Sequence, residues 1–215
     1  MKAYSVENTQ YAHAMGHLLA LYTQVDQFIM ETCAERIATA PGHDARMGLA
    51  KQVGDECRHV TIQQQWMQTF CVDQTPVIDK RSIEHLHAHF RALDWVDFLT
   101  DLYLVVEALG SQAVEQVVPL ADPGTRESLR VPLQDELDHV AFGLSELQKA
   151  LDGMDVLERQ ARLDKIPARI QRLFDRLNDL DVPVQEWFEQ VGTSPLQLHA
   201  VLDRRREELV AGLAA

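Results

Sequence analysis

Apolar residues recur every three or four positions through most of this chain, and proline and glycine mark the places where the pattern stops. From about Glu7 to Ala38, the residues Leu18, Tyr22, Val25, Ile29, Cys33 and Ile37 line one face of a long helix that ends at Pro41-Gly42. A second helix is expected from about Asp44 to Phe70, with Leu49, Val53, Val60, Met67 and Phe70 inward, followed by a loop from Asp73 to Pro76. Ser82 to Ala92 reads as a shorter helix capped by Ser82. A long helix from about Asp94 to Leu120 buries Phe98, Leu102, Val106 and Val117. Asp122-Pro123 caps a fourth long helix reaching about Leu151, in which Pro132 removes one backbone bond and predicts a kink. Asp155 to Ala215 reads as two or three more helices, broken near Asp181-Val182-Pro183 and between Gly192 and Pro195. No strand pattern of any length is present, so the predicted fold is all-α. Residues 1–152 would form a four-helix bundle, and the C-terminal helices of 153–215 would pack on it within the same domain.

Two segments repeat. LYTQVD, ending at Asp26, and LYLVVE, ending at Glu107, share Leu-Tyr-x-x-Val-acid at an offset of 81 residues (26 to 107). Asp55-Glu56-Cys57-Arg58-His59-Val60 and Asp135-Glu136-Leu137-Asp138-His139-Val140 share Asp-Glu-x-x-His-Val at an offset of 80 (56 to 136). The same ordered signals in two helical hairpins imply a pseudo-twofold bundle. Antiparallel helices joined by short turns can bring the four acids and two imidazoles to one level.

That spacing suits a pair of metal ions. In Glu-x-x-His the two side chains share a helix face, so one metal can take the imidazole while the carboxylate reaches its neighbour. The predicted ligands are Asp26, Glu56, His59, Glu107, Glu136 and His139, all on faces otherwise filled by Leu, Val, Ile and Met. Unpaired carboxylates there would cost several kcal/mol or take up protons, and bound cations remove that cost. Mixed oxygen and nitrogen donors suit iron, manganese or zinc, and a carboxylate-rich pair of ions with only two imidazoles points first to iron, then to manganese at one or both positions. Asp55 and Asp135 each precede a ligand glutamate. Across the twofold, Asp135 can hold the free ring nitrogen of His59, and Asp55 that of His139. Arg58 and Asp138 are equivalent in the repeat and opposite in charge, which leaves a pairing between them open. Tyr22 and Tyr103 stand one turn before the single acids, where they can pack in the core, hydrogen-bond a ligand carboxylate or carry a radical. Met30 and Cys33 follow Asp26 by one or two turns and are candidates for a substrate pocket, with Trp66 a further influence on its shape. Cys57, inside the first Glu-x-x-His, should point away from the metals. The pairs His13/His17 and His85/His89 read as surface features.

Composition narrows the partners. A formal net charge of −13 disfavours nucleic acid. No apolar run reaches the roughly 18 residues of a membrane helix, and the first ten residues lack an apolar signal core, so a cytoplasmic location without a membrane is expected. Cys33, Cys57 and Cys71 form no CxxC pair, which disfavours a zinc ribbon or a rubredoxin-type centre and fits reduced thiols.

From Leu21 to about Gly143 the chain resembles the ferritin-like non-haem di-iron superfamily. Its ligand set, a Glu from each of two helices and a Glu-x-x-His from each of the other two, is a known one in those proteins. Asp55-Glu56-Cys57-Arg58-His59 is similar to the Asp-Glu-x-Arg-His form of di-iron oxygenases and desaturases, and Asp138 departs from it in the second copy. Asp26 in place of the first glutamate is similar to ribonucleotide reductase small subunits. Overall size and spacing, above all over Val106 to Gly143, resemble cyanobacterial aldehyde-deformylating oxygenases. The resemblance implies two iron ions, O2 as co-substrate and oxidation or oxygenation of a small organic substrate. Electrons would come from a ferredoxin, flavodoxin or dedicated reductase. Two other readings stand beside this one. One is a ferroxidase or oxygen/peroxide scavenger with no organic substrate; the other is a bundle that binds metal only for stability or acts as an interaction module. The C-terminal helices, available to cover the bundle or to form a homodimer face, favour the oxygenase reading.

Overall fold

The computed structural model describes residues 8–70 and 76–214. Cys71 and most of the expected 73–76 loop lie outside them. Helix α1 (Thr9–Ile37) starts at Asn8, whose side chain accepts from the Gln10 and Tyr11 amides. Gly42, at φ 81°, turns the chain into α2 (Gly42–Met67), which tightens into a 3-10 turn over Gln68–Phe70. Helix α3 (Lys80–Arg91) begins earlier than expected. Asp79 is its cap, accepting from the Arg81 and Ser82 amides at 2.9 and 3.1 Å and from the Ser82 hydroxyl at 2.6 Å. An ionised carboxylate outcompetes the serine for that place because it answers several orphan donors at once.

The third long helix is not uniform. Helix α4 (Trp95–Leu99), capped by Asp94, opens into a π-helical segment, Thr100–Glu107, and closes again as α5 (Ala108–Val117). The Ala108 amide bonds Tyr103 O, five residues back, as π turns require. The wider turn carries seven of its eight residues into the interior, sparing only Val106, which was expected to be buried. Helix α6 (Pro123–Asp152) carries buried Pro132 within an unbroken helical run. Four helices follow where two or three were expected: α7 (Val156–Leu163), α8 (Ile166–Asn178), α9 (Val184–Val191) and α10 (Pro195–Ala214). The additional break falls at Asp164-Lys165, and Gly192 takes φ 99° to end α9.

Helix α1 packs along α2, α2 on α6, and the π segment on α6, giving the expected four-helix bundle. Helix α8 lies on the π segment, α9 on α1 and α10 on α5. Arg169 fastens α8 to buried Asp101 through two bonds of 2.5 and 2.7 Å, and Arg162 of α7 reaches Asp94 at 2.6 Å. Two apolar clusters fill the interior. One surrounds Phe28, Leu49, Leu102 and Leu147, the other Met15, Leu19, Leu129 and Phe188. Along α1 and α6, the acids Asp26 and Glu136 fall at the level between them. Among the described residues no helix is long and apolar enough to cross a membrane and no strand occurs.

Candidate metal centre

At that level four helices meet. Asp26 comes from α1, Glu56 and His59 from α2, Glu107 from the last position of the π segment, and Glu136 and His139 from α6. All six are at most 3% exposed. Ligand atoms of Glu56, Glu107, Glu136 and His139 lie within 4.8 Å of one another, as do those of Asp26, Glu56 and His59. The sequence-predicted set is therefore brought together as two overlapping groups that share Glu56.

The imidazoles are oriented alike. His59 turns Nδ1 toward Glu56 Oε2 (3.1 Å) and Glu136 Oε1 (3.9 Å), and its Nε2 donates to Asp135 Oδ2 at 2.9 Å. His139 turns Nδ1 toward Glu56 Oε1 (3.2 Å), Glu136 Oε2 (3.7 Å) and Glu107 Oε2 (3.8 Å), and its Nε2 donates to Asp55 Oδ2 at 3.3 Å. The aspartates thus cross the twofold, each fixing the tautomer that leaves Nδ1 facing the carboxylates. Arg58 does not pair with Asp138. Its guanidinium spans Asp135 (2.5 Å) and Asp55 (3.1 Å), because both carboxylates converge on the α2–α6 seam, while exposed Asp138 reaches Lys51 at 3.4 Å. Arg58 and His59 hold Asp135 below the usual carboxylate range, against the opposing effect of its partial burial.

The charge balance of the cluster is incomplete. Both oxygens of Asp26, Glu56 Oε1, Glu107 Oε2, Glu136 Oε2 and His139 Nδ1 are buried with no hydrogen-bond partner among the described residues. Burial first, then the neighbouring acids, push Asp26 and Glu107 well up. Glu136 is pulled down despite its burial, by neighbouring Glu107 and by the imidazoles of His139 and His59. His139 is raised because Glu107, Glu136 and Glu56 outweigh its burial. Orphaned oxygen and nitrogen atoms aimed at one another are the donor set that divalent cations complete. The residues present fit a pair of such ions.

The surroundings differ on the two sides. Toward α4, the Tyr103 hydroxyl donates to Gln52 Oε1 at 2.6 Å, and the Gln52 amide donates to Glu107. A Cβ on Gly143 would stand 2.0 Å from Tyr103 Cγ, so the absence of a side chain there is what admits the ring. Cys33 is fully buried, and burial pushes its thiol well up. On the α1 side, the Tyr22 hydroxyl reaches Glu136 Oε1 at 3.3 Å, and a cavity of about 180 Å³ opens beside Asp26, Glu107 and Glu136. Its remaining walls are mostly apolar, among them Leu19, Val25, Val106, Val114, Leu129 and Phe188. Val25 and Val106 also border a larger apolar cavity of about 510 Å³, closed by α8 and the segment leading into α9. Neither Met30 nor Cys33 borders the inner cavity, and Trp66 instead packs on Gly124 and donates to Thr125 Oγ1 at 2.9 Å. Exposed Cys57 points away from the centre.

Sequence reasoning missed Gln52 and Gln63. They stand four residues before Glu56 and four after His59, so the 52-56-59-63 spacing of one helix face was the available signal. Gln63 is fully buried, and neither end of its amide has a partner among the described residues. His85 and His89 do not act together. His89 bonds Asp101 at 2.7 Å, while half-way between them His87 bonds Glu31 at 3.1 Å.

A family model described as the ferritin-like domain of actinomycetes matches residues 9–169. No curated protein sequence matches the chain. Among solved structures, a Synechococcus protein with aldehyde deformylating oxidase activity superposes with a TM-score of 0.73 at 17% identity, over 99% of this chain and 93% of that one. An R2-like ligand-binding oxidase variant with an anaerobically reconstituted Mn/Fe cofactor gives 0.56 at 13% identity, over 98% and 81%. A second variant of that type of oxidase, aerobically reconstituted with Mn/Fe, gives 0.55 at 13%, over 98% and 82%. At these identities the likeness is one of fold.

Proposed function

The chain belongs to the ferritin-like domain family of actinomycetes, and from that premise we propose that it is a dimetal oxidoreductase that uses O2 to oxidise or oxygenate a small apolar organic substrate. The observation that carries this reading is a buried cluster of partnerless carboxylate oxygens opening directly onto an apolar cavity. Two iron ions, or iron with manganese, would supply the binding and reduction of O2. Asp26, Glu56 and His59 would hold one ion, and Glu107, Glu136 and His139 the other, with Glu56 and Glu136 placed to serve both. Asp135 and Asp55 keep Nδ1 of each histidine free for its metal. Tyr22 orients Glu136 on the cavity side. The apolar walls exclude water and place a substrate carbon against the Asp26 edge of the centre. Electrons would arrive from a ferredoxin or a dedicated reductase.

The scavenger reading leaves that cavity without a use. Anaerobic loading with ferrous iron followed by O2 separates the two. We expect the product state and the rate of return to the reduced form to depend on an added apolar compound that fills the cavity. Oxygen consumption that follows iron alone, with a mineral core accumulating, would show a ferroxidase instead.

A further inference from the structure

We propose that the two metal positions are unequal: the one beside His139 takes the first ion and holds it tightly, the one beside His59 takes a second, exchangeable ion, and Gln52 is the positioning residue that sets the difference. The inference rests on the dimetal part of the oxidoreductase reading and assigns an order of loading to that same centre.

The repeat breaks at one place that touches the ligands. Gln52 stands four residues before Glu56, and the equivalent position, four before Glu136, is Pro132. Gln52 reaches across the bundle to Glu107, the single acid of the second half. By the same twofold, Asp26 would be reached from Pro132, which has no polar side chain to offer. An ionised carboxylate only accepts hydrogen bonds, so the Gln52 amide turns its NH2 to Glu107 and its carbonyl to the Tyr103 hydroxyl, 2.6 Å away. Gln52 takes up Glu107 Oε1 and leaves Oε2, 3.8 Å from His139 Nδ1, as the free oxygen. Glu107 therefore meets an ion already oriented. Neither oxygen of Asp26 has a partner among the described residues, so the ion itself must order that carboxylate, which weakens binding.

The donors point the same way. Four groups, Glu56, Glu107, Glu136 and His139, gather around the His139 position, and three, Asp26, Glu56 and His59, around the other. An ion in the four-donor position also draws on Glu56, which both groups share. A second ion then meets an acid already partly neutralised, with a like charge nearby. Of the three ligands on the wall of the inner cavity, Glu107 is held by Gln52 and Glu136 by Tyr22, and Asp26 by nothing among the described residues. The exchangeable position is thus the one that meets the cavity through an unfastened carboxylate.

Ferrous iron alone, added under nitrogen, is the probe. Titration calorimetry of the metal-free protein should resolve two steps of one ion each, the first at least about tenfold tighter, a margin of about 1.4 kcal/mol. Crystals given less than one equivalent of iron per chain should show anomalous scattering beside Nδ1 of His139 and at most a trace beside Nδ1 of His59. Gln52→Leu, combined with Tyr103→Phe so that no hydroxyl is stranded, should weaken the first step about 10- to 100-fold and leave the second nearly unchanged. Gln52→Asn, too short to reach Glu107 and Tyr103 together, is measured in parallel and should show the same selective loss. A general loosening of the fold would lower both steps together. Equal occupancy of the two positions at partial loading, filling of the His59 position first, or equal weakening of both steps in the variants overturns the proposal and leaves the oxidoreductase reading standing. Ordered loading followed by oxygen chemistry indifferent to any organic compound would do the reverse, and a wild type that holds no iron overturns both.

Discussion

Tyr22 and Tyr103 stand four residues before equivalent acids in the same Leu-Tyr-x-x-Val-acid pattern, yet the bundle treats them oppositely. Tyr103 lies in a π-helical segment, fully buried, its ring seated on Gly143 and edge-on to Phe142, its hydroxyl tied through Gln52 to Glu107. Tyr22 lies in a regular α-helix, borders a cavity, and reaches Glu136 at a looser 3.3 Å. The repeat puts Pro132 where the first half has Gln52, and Gln63 where the second half has Gly143. Proline offers no side-chain acceptor for a tyrosine hydroxyl, so Tyr22 turns to a ligand carboxylate. Between the two layers the six candidate ligands keep their symmetry. What the contrast teaches is that the centre is closed on one side by side-chain packing and left open on the other, and the open side is where a substrate has room.

Changes that strike the shared layer should outweigh those confined to either side. Glu136→Ala removes a carboxylate that faces both imidazoles and is expected to cut the metal content from about two ions per chain to below one, measured by elemental analysis after desalting. Asp135→Asn and Asp55→Asn should each weaken metal binding about 10- to 100-fold by releasing a histidine ring, read by competition with a chelator. If only one of the pair matters, the twofold equivalence of the layer fails. Gly143→Ala forces a methyl onto the Tyr103 ring and is expected to cost about 1–3 kcal/mol in a denaturant titration. Substituting Gln63, its counterpart in the repeat, should stabilise. Last, Tyr103→Phe strands the buried carbonyl of Gln52 and should cost about 1–2 kcal/mol, against less than about 1 kcal/mol for Tyr22→Phe. Equal costs for the two tyrosines would show that the two layers are packed alike.

The residues of the centre were legible because helix spacing converts sequence directly into a shared face. Acid and Glu-x-x-His in each hairpin specify one level, and the crossed pairs Asp135–His59 and Asp55–His139 follow from the twofold alone. The π segment was not legible. LYTQVD and LYLVVE match, and nothing in a run of apolar residues announces whether the backbone bonds to the fourth or the fifth residue back. The pairing of Arg58 with Asp138 that their charges left open is not made, because equivalence in a repeat is not proximity. Its guanidinium sits over the seam between α2 and α6, and Asp138 lies outside it. The cavity could not be read from α1 alone, since much of its wall comes from α5, α6 and α9, which become neighbours only on folding. Gln63 escaped notice because an unpaired amide is recognisable only once its surroundings are known.

Anomalous diffraction at the iron absorption edge, from crystals of the protein reconstituted with ferrous iron, tests the centre most directly. Two peaks about 4 Å apart are expected between Glu56 and Glu136, one beside Nδ1 of His59 and the other beside Nδ1 of His139. A single peak, or density only at surface carboxylates, would contradict the account.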